Sequence, residues 1–144
     1  MGVFKAEEER ALRELLAGLE LPVELALVLG PYSTTTLAGT REIDPEEETR
    51  SVLAAVAELS DRVTLSEHGE GAFGAEHHPA VVVLREGEDV GIRYYGTPWG
   101  YEVTSIVGAV LEAGTRELSL APESVEALTT LERDVALQVF VTPT

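Results

Sequence analysis

Two short stretches of this chain carry the side chains that chemistry needs. Ser33, Thr34, Thr35 and Thr36 line up four hydroxyls, and a hydroxyl becomes a nucleophile only beside a positioned base. His78 is the one tempting base; the plainer reading is that the four residues cap the segment that follows, and no catalytic residue is assigned. Glu67, His68, Glu70, Glu76, His77 and His78 crowd imidazoles and carboxylates into one loop, the groups that hold zinc and other divalent ions. Their spacing matches no metal signature, and adjacent His77 and His78 point opposite ways on an extended backbone. The loop therefore reads as solvated and acidic, with no metal ligand assigned. Tyr94, Tyr95, Trp99 and Tyr101 gather near Pro98 and read as core and hairpin packing rather than a ligand box, with Trp99 exposed on a first helical turn. The glycines between Gly69 and Gly74 lack the lysine and the helix of a phosphate loop. Asp44 to Glu48, with Thr49, reads as a charged helix start.

Composition removes whole classes of function. Cysteine is absent, so the chain has no thiolate for redox exchange and no disulfide. A net charge of −16 with only ten Lys and Arg excludes a nucleic-acid or anionic-membrane surface, because both need a basic footprint. The partner implied is a neutral or basic protein or peptide, and no cofactor is called for. With 144 residues, 44% of them hydrophobic, the chain can bury the core of an ordinary domain. It has no apolar run of membrane-spanning length and no signal-peptide core, which predicts a cytoplasmic protein.

The elements that position these residues follow from periodicity. Helical spacing of Leu12, Leu15, Leu16 and Leu19 predicts a helix over Ala6–Leu19, and Val23–Leu29 is a short apolar strand broken by Gly30-Pro31. A second helix is predicted over Glu46–Ser60, then a strand over Val63–Ser66. Pro79 opens a valine-rich strand, Ala80–Leu84, suited to burial on both faces. Gly87 and Asp89 turn it back into Val90–Tyr95. Thr97 as N-cap, Pro98 at the first helical position and apolar residues from Val103 to Leu111 predict a third helix ending at Gly114. The order predicts an α/β sandwich around a mixed four-stranded sheet.

A proline-led ββα unit of this kind resembles the second half of the thioredoxin fold, in the form it takes in glutaredoxin-like protein disulfide oxidoreductases. The residues carrying the likeness are Pro79-Ala80, Gly91 to Gly96, Pro98, Gly100 and Glu102. The resemblance implies a thioredoxin-like fold with Val23–Leu29 and the Pro79 strand in mid-sheet. It also implies a cis Pro79 facing the redox position, and a backbone at His78 and Pro79 that receives a substrate chain.

A shift of 112 residues lays Leu16, Leu19, Val23, Leu25 and Pro31 on Leu128, Leu131, Val135, Leu137 and Pro143, an internal repeat of helix, strand and proline. The chain thus divides into a thioredoxin-like domain, residues 1–116, and residues 117–144, the helix and strand that begin a second unit. In the family the motif V-F-V-T-P-T, here Val139 to Thr144, leads into C-x-x-C. By the same shift Ser33 and Thr36 occupy the cysteine positions of the first unit, so its redox motif is missing. Three functions are open: a redox-inactive scaffold or substrate-docking unit, as in the dead-plus-live pairing of flavin-dependent alkyl hydroperoxide reductases; part of a thiol–disulfide oxidoreductase whose C-x-x-C, or selenocysteine variant, lies past residue 144; or a metal-binding or chaperone-like module. The apolar strand Val135–Val141, left with a bare edge, predicts a homodimer. The reading frame is expected to continue past codon 144.

Overall fold

A computed structural model describes residues 2–32 and 44–141. Helix α1 (Ala6–Leu16) opens on a capping interaction in which the Lys5 amide donates to Glu8 Oε2 at 2.9 Å, with Glu7, Glu8 and Glu9 in the first turn, where the helix dipole favours negative charge. It stops three residues before the predicted Leu19, because tighter turns through Gly18 and Leu19 swing the chain back so that Leu16, Leu19 and Leu21 all bury. Strand β1 (Val23–Val28), helix α2 (Pro45–Ala57) and strand β2 (Val63–His68) follow. A 3-10 turn (Ala72–Gly74) precedes the hairpin of β3 (Ala80–Arg85) and β4 (Glu88–Tyr95), then α3 (Glu102–Gly114) and α4 (Pro122–Thr129).

The four strands form one mixed sheet in the order β2-β1-β3-β4, with β1 parallel to β2 and antiparallel to β3. The hairpin turn is the two-residue Glu86-Gly87, both at positive φ (51° and 83°), the left-handed pair that matches the twist of flanking strands. β1 and β3 hold the centre, as their apolar runs predict. Leu25 and Leu27 face one side of the sheet with Val81 and Val83, and α1, α2 and α3 all pack there. The other face, Ala26, Val28, Ala80, Val82 and Leu84, is covered by Ala72, Phe73 and Ala75. Gly114 closes α3 against the α1–β1 link: a Cβ there would meet Leu19 Cδ2 at 2.5 Å, and the Gly114 carbonyl accepts from the Glu20 and Leu21 amides at 2.8 and 3.0 Å.

Other sequence expectations differ from the structure. Helix α2 ends at Ala57 rather than Ser60, and β2 runs on to His68 beside β1, so Glu67 and His68 lie in a strand and not in the predicted loop. Helix α3 begins at Glu102 with Tyr101 as N-cap rather than Thr97. The Thr97 hydroxyl is turned toward Thr49 and Pro45, and Gly100 takes φ 56° in a turn that precedes the helix. The repeat's helix is present as α4, but Val135–Val141 joins no ladder among the described residues, and Leu137 and Phe140 are 89% and 91% exposed. Alternating or apolar sequence favours an extended chain, whereas a strand also needs a neighbour to receive its backbone groups.

Candidate functional site

The carboxyl end of β1, the start of β3, the end of β4 and the first turn of α2 meet at one edge of the domain. Register brings the strands there: Val28 pairs with Ala80, and Ala80 with Tyr95. The His78–Pro79 peptide bond is cis, and the Pro79 carbonyl accepts from the Gly96 amide at 2.8 Å. Gly30 lies under the His78 ring so closely that a Cβ would come 2.8 Å from Nδ1; only glycine leaves room for the imidazole. His78 Nε2 is buried with no hydrogen-bond partner among the described residues.

Thr97 links this edge to α2. The Thr49 hydroxyl, wholly buried, donates to the Pro45 carbonyl at 2.6 Å and lies 3.0 Å from the Thr97 hydroxyl. Asp44 caps the helix, accepting from the Glu46 amide at 3.0 Å. Sequence reasoning passes over Thr49 as part of a charged run. Ser33 and Thr36, assigned to the cysteine positions, lie outside the described residues, which flank them at Tyr32 and Asp44.

The histidine-rich loop is spread over separate environments. His68 Nε2 is 2.8 Å from Ser66 Oγ and its ring meets Phe73 edge-on at 5.0 Å. His77 packs edge-on against Tyr95 at 5.4 Å. Glu67 is engaged by Arg50 of α2 at 2.6 Å, whose hydrogen bonds lower its pKa despite partial desolvation. Among the described residues no three such side chains converge on a point where an ion could sit. Among the same residues, the backbone groups of Glu76, His77 and His78 make no hydrogen bond, so that next to Pro79 the chain presents free donors and acceptors to whatever approaches.

The aromatic group splits in two. Tyr94 is half-buried, and burial, followed by a hydrogen bond with Glu102, pushes its phenol well above the usual range. Trp99 and Tyr101, 39% and 80% exposed, instead border an open groove between α1, α2 and the start of α3. On β4, Arg93 donates to Asp89 at 2.9 Å and to the Phe73 carbonyl at 2.7 Å, holding the 3-10 turn to the hairpin.

Comparison with known proteins bears on this geometry. No family model matches the chain. The F component of alkyl hydroperoxide reductase, AhpF, from Pseudomonas aeruginosa is 30% identical over 121 residues, covering 84% of this chain and 22% of the relative. Its counterpart in Staphylococcus aureus is 25% identical over 142 residues, covering 99% of this chain and 25% of the relative. The chain therefore spans about a quarter of the length of these curated relatives. Among solved structures, the NTD_N/C domain of AhpF from Enterococcus faecalis superposes with a TM-score of 0.75 at 26% identity, over 90% of this chain and 62% of that one. A protein disulfide oxidoreductase from Aeropyrum pernix gives 0.68 at 24% identity, over 88% of this chain and 55% of that one, a likeness of fold.

Proposed function

We propose, for a chain that is a thioredoxin-like unit similar to the N-terminal domains of AhpF, that it is a docking unit for protein or peptide and performs no thiol exchange itself. The observation that carries this reading is the unbonded backbone of Glu76 to His78 beside Pro79, in a chain without cysteine. Such a backbone accepts an extended segment by main-chain hydrogen bonds, which need no particular side chain on the ligand. Thiol exchange needs a thiolate, and Ser and Thr supply none at neutral pH.

A second reading is favoured by the partial coverage of the relatives: the unit belongs to a larger thiol–disulfide oxidoreductase, with residues 117–144 leading into a second unit, as the internal repeat suggests. The same docking edge would then present a substrate to cysteines elsewhere. Homodimerisation through the exposed 135–141 segment, and a cytoplasmic setting, belong with this proposal. No helix among the described residues is long and apolar enough to cross a membrane.

The test is twofold. In an insulin-reduction assay the chain should give no rate above buffer, and sustained turnover by the purified protein would overturn the reading. In an amide NMR titration with the longer chain of reduced, alkylated insulin, shifts should concentrate at Glu76, His77, His78 and Ala80. Shifts confined to other surfaces would overturn the docking edge.

A further inference from the structure

We propose that the groove between α1, α2 and the start of α3 is a second docking site, for an apolar segment of a partner protein that carries a lysine or arginine to pair with Glu48. It lies on the helix-covered face and does not depend on the His78–Pro79 edge. The groove encloses about 820 Å³, with Phe4, Leu12, Val52 and Val107 in its walls and Trp99 and Tyr101 at its lip. A concavity of this size, within the roughly 300–1,000 Å³ of ordinary ligand sites, takes a few large side chains. Tyrosine and tryptophan at its border are the residue types that anchor interfaces.

Charge decides the occupant. Among the described residues the ionisable groups lining the groove include Glu8 and Glu48, and no Lys or Arg lines it. Glu8 is spent on the Lys5 amide. At the start of α2, Asp44 caps the helix and Glu47 pairs with Arg50 at 2.9 Å, while Glu46 does not line the groove. Glu48 is half-buried in the lining of the groove, beside its apolar wall, and its carboxylate makes no hydrogen bond or ion pair within the described residues. An apolar ligand seated in the groove would strip water from this carboxylate at a cost, and a cation brought by the same ligand offsets that cost. The net charge of −16 draws a basic segment in from a distance.

Trp99 is the single tryptophan of the chain, so its fluorescence reports on the groove. The probes are a synthetic amphipathic peptide with Leu and Phe on one face and Arg at its border, and a twin with Glu for each Arg. The Arg peptide should shift Trp99 emission saturably and the Glu twin should not. Glu48→Gln should weaken Arg-peptide binding about tenfold at low salt, the size of a close interfacial charge pair, and added salt should narrow that difference. Glu47→Gln, outside the groove, should bind as the parent does. Several results would overturn the site: no emission change in protein shown folded by circular dichroism, equal binding of the two peptides, or unaltered binding by Glu48→Gln. A Trp99 shift that follows protein concentration alone would assign the groove to a second copy of the chain and equally overturn it.

Discussion

Leu25 and Leu137 stand at equivalent places in the internal repeat, yet Leu25 is wholly buried and Leu137 is 89% exposed. Around them the two segments are alike in kind, Val23-Glu24-Leu25-Ala26-Leu27-Val28 against Val135-Ala136-Leu137-Gln138-Val139-Phe140. β1 has β2 on one edge, β3 on the other and three helices over its Leu25 face. The later segment has none of these among the described residues. Apolar, β-favouring sequence is thus a requirement for a central strand and not a sufficient cause; the ladder and the covering helices complete it.

The sharpest test of that contrast is truncation at the buried member. Leu25→Ala removes a side chain packed between Val83 of β3 and the helices and should cost about 3 kcal/mol, the usual loss when a large core residue leaves a cavity. Denaturant melts measure it. A cost below about 1 kcal/mol would mean that this core collapses around the gap and that burial at β1 matters less than the contrast implies.

What is legible in the sequence is whatever a single segment decides. The three valines of β3 and the stripe from Val103 to Val110 each announce themselves within a few residues, and the structure places them as read; the hairpin turn is legible too, but it closes at Glu86-Gly87, with Glu88 and Asp89 already paired in β4 rather than in the turn. Features assembled from several segments are not legible. The groove draws its walls from α1, α2 and α3, and no local pattern joins Phe4 to Val52 and Trp99. Thr49 is a milder case. It stands three, four and seven residues before Val52, Leu53 and Val56, on the buried stripe of α2, but the carboxylates preceding it make the stretch look wholly solvated. The start of α3 is misread because Thr97 has two possible uses for its hydroxyl, and only the fold shows that α2 claims it.

Thr49→Val keeps the shape and removes the hydroxyl, so it isolates that claim. It should cost about 1 kcal/mol, the net worth of a buried neutral hydrogen bond, because the Pro45 carbonyl loses its 2.6 Å donor while Thr97, 3.3 Å away, partly replaces it. Denaturant melts again measure the change. A stabilised variant would show that packing alone seats this face of α2, and would bring Thr49 into line with the purely apolar centre of β1.

A smaller effect, and one with a pH signature, is expected at the sheet edge. Arg93's hydrogen bonds hold the Asp89 carboxyl below the usual range, against partial desolvation, with help from the Gly91 amide. A carboxylate whose folded pKa is depressed lends stability above its unfolded pKa and loses it as pH falls through the folded value. Asp89→Asn should therefore cost a few tenths to about 1 kcal/mol near neutrality, since the pair is partly open to solvent. The difference from the parent should close on acidification below the ordinary carboxylate range. Melts at several pH values decide it, and a gap that is constant with pH would assign the loss to the shape of the hairpin rather than to charge.

The smallest effect belongs to the exposed counterpart of Leu25. Leu137→Ala removes apolar surface that water already covers, so the monomer should change by less than about 0.5 kcal/mol, as substitutions away from packed features do. Measured beside Leu25→Ala, the pair reads the repeat directly: same residue type, same repeat position, costs that differ severalfold. If Leu137→Ala proves nearly as costly at low protein concentration, residues 135–141 pack against their own domain and the contrast with β1 fails. If the cost emerges only as concentration rises, the segment gains its partner from another copy. In that event stability itself becomes concentration-dependent, because whatever binds the folded form alone stabilises it by mass action. The two-concentration comparison thus separates a segment that packs within its domain from one that finds its strand neighbours between molecules.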